Sequence, residues 1–355
     1  MEFTYADNQI SFLHNGESYS CSCLFCDESL KESDYGMAFL TSPYYRAEED
    51  YFTVRAGTVN DNFPIGVIIP LQLLDEEDEE VIKEINSFYF RHASLAVRMV
   101  VEYLIKINAL TSTELEFCLS DCFEASDIIV FLYKKQEVGS DISYIIPSLY
   151  DNGFYKLDKP LAKSERKYYE SGYMMSEASD KRQRGIRNVM VKLLKHFGKQ
   201  RYFYNLLYTE LLPFVEDPFY RFISLYQAIE LLSVYAYEED VDRHIQRFKE
   251  KQISKNELRE ELIKAVKESK QIQLIYQGVK WKEDRDLLAK IGLLFDSASI
   301  DRPDSDDLCN YIYTLRNKIV HEMRSLYPHR DKLKDIVEYM DKNIFCLLAE
   351  NGVKQ

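Results

Sequence analysis

Arg316, Asn317 and His321 fall within one short stretch, Leu-Arg-Asn-Lys-Ile-Val-His-Glu, at positions 315–322. Each brings a group that RNA cleavage can use. An imidazole with a reference pKa of about 6.5 accepts and returns a proton at neutral pH. A guanidinium stays charged and holds a phosphate bidentately while negative charge develops on it. An amide can orient either the imidazole or the scissile phosphate. RNA carries its own nucleophile, the 2′-hydroxyl, so this chemistry requires no metal. On a helix, Asn317 and His321 are four residues apart and share a face, while Arg316 at the flank reaches the same cleft. The same three residues would also suit a solvated helix face, and spacing alone leaves both readings open.

These residues need a helix beneath them, and the sequence supplies one. Leu308, Ile312, Leu315 and Ile319 recur as one apolar stripe, opened by the capping cluster Arg-Pro-Asp-Ser-Asp-Asp (302–307) and punctuated by Pro328. A final helix carries Leu333, Ile336, Val337, Met340, Ile344 and Leu347, with Gly352 marking its end. Upstream, Asp217 is placed to cap a helix with Pro218 at its first position, and Phe222, Tyr226, Ile229 and Ser233 follow one face of it. Residues 254–269 and 281–295 read as two further helices. From about residue 180 the pattern is helical, with breaks at Gly185 and Gly198, and no strand run is expected to return.

Residues 1–160 differ. Phe-Thr-Tyr-Ala-Asp-Asn-Gln-Ile-Ser-Phe-Leu-His-Asn-Gly-Glu-Ser-Tyr-Ser-Cys (3–21) has short aromatic and β-branched runs broken by Asp-Asn and Asn-Gly, the chemistry of hairpins. Residues 51–57, 64–71, 114–120 and 127–135 are further strand candidates. The acidic run 75–80 precedes an apolar-periodic helix that extends to about residue 107. The expected class is therefore α+β: a mixed α/β N-terminal domain (1–160) followed by an all-α helical bundle (180–352).

Length and composition set the bounds. The chain has 355 residues, enough for two domains, with 46% hydrophobic and 29% charged residues. With 12 Gly and 9 Pro, long low-complexity linkers are not expected. A net charge of −14 argues against coating nucleic acid by bulk attraction, though not against a local basic cleft. Seven cysteines without a secretion signal fit reduced thiols in the cytoplasm. The most apolar stretch, 94–107, is interrupted by Arg98, Glu102 and Lys106, so it reads as an amphipathic helix and not as a membrane span.

The Arg-Asn-x-x-x-His pattern on the penultimate long helix of a C-terminal bundle resembles the HEPN domain, over residues 183–350. In that resemblance Arg316 and His321 match the two defining positions, and Asn317 matches the polar position after the arginine. The upstream segment Phe-Tyr-Arg-Phe-Ile-Ser-Leu-Tyr-Gln-Ala-Ile-Glu-Leu-Leu-Ser (219–233) is similar to the family's aromatic-rich helix ending in Glu-Leu-Leu. This implicates Glu230 either as a carboxylate that positions Arg316 or His321, or as an ion pair tying two helices together. The resemblance implies a metal-independent endoribonuclease without cofactor, acting on RNA by 2′-hydroxyl attack. It implies a homodimer through the 217–235 and 306–325 helices, and a role as a toxin or anti-phage abortive-infection effector. The alternative is a catalytically inactive HEPN module that binds a nucleotide or protein partner. By analogy with multidomain defence proteins, the N-terminal domain would sense a phage-derived or nucleotide trigger.

Residues 181–201 hold eight Lys and Arg with no Asp or Glu. Arg182, Arg184, Arg187, Lys192 and Lys195 are candidate RNA contacts there, with Tyr202, Phe203 and Tyr204 available to stack on bases. A solvated basic helix is the competing reading. Cys21, Cys23 and Cys26, with His14 nearby, lack the two well-spaced pairs of a zinc site and read as free thiols, and Cys118 and Cys122 add nothing to them. Walker, Gly-x-Gly-x-x-Gly, His-Glu-x-x-His and Gly-x-Ser-x-Gly motifs are absent from the sequence.

Overall fold

Alternation and β-branching shape the N-terminal part of the chain, and helical periodicity shapes the rest. The computed structural model describes residues 2–6, 9–14, 17–20, 32–44, 51–58, 61–70, 87–107, 115–117, 128–158, 187–193, 201–276, 282–305 and 307–351. They fall into two units: Met1–Glu170 with Met174–Leu193, and Ser171–Tyr173 with Leu194–Gln355. The class is α+β.

In the first unit, β1 (Glu2–Ala6), β2 (Gln9–His14) and β3 (Glu17–Ser20) form an antiparallel meander through the expected hairpins, and β7 (Leu115–Phe117) pairs with β1 to give the order β3-β2-β1-β7. A second sheet has the order β10-β5-β6-β8-β4-β9, from β4 (Tyr35–Thr41), β5 (Phe52–Gly57), β6 (Asn62–Pro70), β8 (Ile128–Lys134), β9 (Tyr155–Leu157) and β10 (Arg187–Val191). Its centre is β6 and β8, where Ile65, Val67, Ile68, Ile69 and Ile128 to Leu132 are buried on both faces. Helix α1 (Ser87–Lys106) lies against both strands. It turns Ala93, Ala96, Val97, Val100, Val101 and Leu104 inward and leaves Arg98 and Glu102 paired outside at 3.3 Å. Short helices α2 (Lys135–Val138) and α3 (Ile146–Asp151) precede β9. No helix among the described residues is long and apolar enough to cross a membrane.

Three strands were not expected, namely β4, β9 and β10. The last overturns the helical reading of residues 187–191. There Val189 and Val191 are buried while Asn188 and Lys192 on either side are exposed, a period of two that the basic composition of the segment obscures. β10 runs parallel to β5, with Val189 opposite Val54. The acidic run 75–80, Gly185, Gly198 and Gly352 lie outside the described residues.

The second unit is helical. It begins with α4 (Arg201–Leu206), which widens into a π-helical turn over Leu207–Leu211. Helix α5 (Pro218–Lys249) follows, capped as expected by the Asp217 carboxylate, which accepts from Phe219 N at 3.0 Å and Tyr220 N at 3.3 Å. Helix α6 (Lys255–Ala265) opens with a reciprocal capping box between Ser254 and Glu257. The chain turns at Val266 and Lys267, so the continuous helix expected over 254–269 is two, the second being α7 (Glu268–Tyr276). Helices α8 (Lys282–Ser297), α9 (Leu308–Leu326) and α10 (Arg330–Asn351) complete the unit.

Helix α5 is the spine: α10, α7, α6 and α9 all pack on it, and α8 packs on α9 and α10. The predicted stripes form the core. Phe222, Tyr226, Ile229 and Ser233 are buried on α5, as are Leu308, Ile312, Leu315 and Ile319 on α9 and all six expected positions on α10. Each large apolar side chain so buried contributes roughly 1.5–3 kcal/mol. Within this core Arg221 is fully buried, donating to Asp341 Oδ2 of α10 and to the carbonyls of Leu212 and Val215.

Candidate functional site

The Asp307 carboxylate caps α9 by accepting from Cys309 N at 3.1 Å, and Gln273 of α7 donates to its other oxygen. The helix is thereby fixed at its start, and its apolar stripe docks Leu315 and Ile319 inward. This leaves Arg316 and Asn317 half-buried at the margin of the core and His321 exposed one turn further on. Directly after His321 the helix kinks at Glu322 (φ −136°, ψ 32°).

Arg316 is held on three sides. Its Nη2 lies 3.6 Å from Glu230 Oε1, its Nη1 donates to Asn317 Oδ1 at 3.1 Å, and its guanidinium carbon sits 5.6 Å from the centre of the Tyr226 ring. The Tyr226 hydroxyl in turn donates to Glu268 Oε1 of α7 at 2.8 Å. Three helices therefore contribute to one cluster: α9 supplies the cation, α5 a carboxylate and a ring that lie beside it, and α7 a carboxylate that accepts from the ring's hydroxyl.

Burial raises the pKa of Glu230 above the ordinary carboxylate value; Arg316 lowers it, and Glu268 raises it further. Burial likewise pushes the Tyr226 hydroxyl well up, helped by its hydrogen bond to Glu268 and by the charges of Glu268 and Glu230, with Arg316 acting the other way. Tyr226 is thus a neutral hydrogen-bond donor. The result is a cation whose orientation is set by the protein, with part of its surface left for an anionic ligand: the Arg316 side chain is 26% exposed.

Of the residues singled out in the sequence, Arg316, Asn317 and Glu230 come together. His321, on the same helix, stands exposed and makes no hydrogen bond or ion pair with the described residues. Tyr226 and Glu268 were not anticipated as site residues. Tyr226 belongs to the core stripe of α5, and only its long side chain carries the hydroxyl out to Glu268.

Of the basic segment, only residues 187–193 and Arg201 are described. Lys192, just after β10, is exposed and belongs to the first unit, with its N–H donating to Ser148 Oγ at 2.9 Å. Arg187 lies in β10; Arg182, Arg184 and Lys195 lie outside the described residues. Tyr202 is exposed, whereas Tyr204 is buried against Phe203 and is not available to stack on a base as expected. Cys21, Cys23, Cys26, Cys118 and Cys122 lie outside the described residues; Cys309 is buried, its thiol donating to the Ile272 carbonyl, and Cys346 is half-buried. Among the described residues no group of three or more His, Cys, Asp or Glu is arranged to hold a metal ion. Comparison of the chain with family models, with curated proteins and with solved structures finds no match.

Proposed function

We propose that the helical unit is a metal-independent endoribonuclease of the HEPN type, acting in the cytoplasm as a toxin or abortive-infection effector. The observation that carries this reading is the Arg316 guanidinium, fixed by Glu230, Asn317 and Tyr226 and followed by an exposed His321 on the same helix. A fixed, partly exposed cation suits a phosphate on which charge develops, and an exposed imidazole suits proton transfer with the 2′-hydroxyl or the leaving oxygen.

One copy of the motif offers one histidine, whereas cleavage needs a proton removed at the nucleophile and one delivered to the leaving group. Pairing two copies about a two-fold axis supplies both. Helices α5 and α9 expose Tyr220, Val234, Val320 and Met323 along their outer faces, apolar surface that supports such pairing. RNA contact by Lys192 and the rest of the basic segment belongs to the same proposal, as does a phage-derived or nucleotide trigger acting on the separate N-terminal unit.

The test is to incubate the purified protein, and its His321→Ala variant, with total RNA in the presence and absence of EDTA. Cleavage by the wild type in both conditions, lost in the variant, is expected. An RNA pool left intact under every condition favours the inactive binding module, for which the same fixed Arg316 would be a phosphate or carboxylate contact.

A further inference from the structure

Helices α5 and α9 run antiparallel, and two side-chain contacts set their register. Phe219 stacks on Tyr327 at 6.3 Å between ring centres with an angle of 6°. Eleven residues further along α5, Glu230 meets Arg316, which lies eleven residues back from Tyr327. Eleven residues are about three full helical turns and about 16 Å of rise. Tyr327 and Arg316 therefore sit over the same face of α5, a few nucleotides apart.

The two ends of this face are built differently. At one end is the polar cluster around Arg316. At the other, Phe219 is buried at 2% exposure while the Tyr327 ring stacked on it is 62% exposed. An aromatic ring backed by a buried partner and open on its other side is a stacking platform held in place before any ligand arrives. Tyr327 opens a 3-10 turn, Tyr327–His329, with Arg324 three residues before it and Arg330 three residues after it in the chain, all three exposed.

The segment that carries Tyr327 is basic in an acidic chain. Residues 321–334 contain four Lys or Arg (Arg324, Arg330, Lys332, Lys334) against two Asp or Glu. Of those acids, Glu322 is engaged by Lys318 at 2.8 Å. Arg330 pairs with Asp217 at 3.0 Å, but both side chains are solvent-exposed in part, and a guanidinium with five N–H donors keeps others for a phosphate.

We propose that Tyr327, flanked by Arg324 and Arg330, is a subsite for single-stranded RNA, stacking one unpaired base while the arginines hold neighbouring phosphates. The inference rests on the ribonuclease reading for its ligand. It adds to that reading a substrate class: an RNA strand, unpaired at the position that reaches Tyr327, which spans from the platform to Arg316.

The experiment measures binding separately from cleavage. A fluorescently labelled single-stranded oligoribonucleotide of about ten residues, long enough for the span, is titrated with the His321→Ala protein by fluorescence anisotropy. Adding Tyr327→Ala is expected to weaken binding about ten-fold, whereas Tyr327→Phe keeps it, because stacking needs the ring and not the hydroxyl. Duplex RNA of the same sequence should be indifferent to Tyr327→Ala. In the otherwise wild-type enzyme Tyr327→Ala should raise KM for the long strand and leave kcat in place. Equal binding of Tyr327→Ala and Tyr327 proteins, absence of any binding by the His321→Ala protein, or equal weakening by the Phe variant would overturn the subsite. So would loss of dimer on light scattering with RNA affinity unchanged, which would make this surface a protein contact. A wild type that binds the strand in this Tyr327-dependent way but never cuts it refutes the nuclease reading and leaves the subsite standing.

Discussion

Glu230 on α5 and Arg316 on α9 pair at 3.6 Å, and the Tyr226 ring lies beside the guanidinium at 5.6 Å from its carbon. The pair is too long to be a strong hydrogen bond and too exposed to act mainly as a strut, since side-chain exposure is 26% for the arginine and 43% for the glutamate. What it does is limit where the cation can point. On the proposed function a phosphate at Arg316 would meet a group already oriented, beside a Glu230 carboxylate that burial disfavours in its charged form.

The first expected outcome follows from the position of the two motif residues at the edge of the core. Arg316→Ala and His321→Ala should each abolish growth arrest by the wild-type protein, expressed alone or in phage-infected cells. Cleavage should fall by about two to four orders of magnitude, as for loss of a general acid or base. Neither change removes core packing, so circular dichroism melts should match the wild type. Arrest that survives both substitutions would exclude the assignment.

The reaction itself leaves a chemical record. Attack by the 2′-hydroxyl should yield a 2′,3′-cyclic phosphate, or its 3′-phosphate hydrolysis product, and a 5′-hydroxyl. A strand with a 2′-deoxy sugar at the scissile position should resist, and activity should fall as salt rises. End analysis showing 5′-phosphates, or loss of activity on chelation, points instead to metal-dependent hydrolysis.

Dimerisation has its own test. Val320→Asp and Met323→Asp place charges on exposed apolar positions of α9 that the folded protomer tolerates. Light scattering should show dimer for the wild type and monomer for the double variant, with cleavage lost in parallel. A monomeric wild type that cuts RNA is incompatible with a site completed by two copies.

Glu230→Gln addresses the electrostatics. Because the folded-state pKa of Glu230 is raised, chiefly by burial, its contribution to stability is present below the unfolded carboxylate value and is lost as pH rises through the folded value. The glutamine variant lacks this loss. Its urea midpoint relative to the wild type should therefore improve as pH rises above the ordinary carboxylate value of about 4. The opposite slope would mean that attraction to Arg316 outweighs burial.

Asp341→Ala tests the frame beneath the site. It leaves Arg221, fully buried, without its carboxylate partner, and should cost roughly 3–5 kcal/mol in denaturant unfolding. Replacing Arg221 and Asp341 together by Met and Leu should recover most of that loss. A single variant as stable as the wild type would show that Arg221 is satisfied without the Asp341 carboxylate.

The sequence by itself determined the helices around the site and what faces inward. Asp217 and Asp307 cap where an acid precedes an apolar-periodic run, and Leu308, Ile312, Leu315 and Ile319 are buried because their spacing fits one face of a helix. Those rules act over a turn or two, so local sequence is enough to apply them, and the placement of Arg316 and Asn317 at the edge of the core, with His321 exposed beyond it, follows. Strand β10 was not legible, since Val189 becomes part of a sheet only by pairing with Val54, more than a hundred residues earlier in the chain. Nor was the break at Val266–Lys267, which sets Glu268 at the start of a separate helix. The Arg316–Tyr226–Glu268 cluster is the same kind of fact. Its three members lie on three helices, and no spacing within any one of them encodes the meeting; only the packing of α7 and α9 on α5 brings the Tyr226 ring against the guanidinium and its hydroxyl to the Glu268 carboxylate.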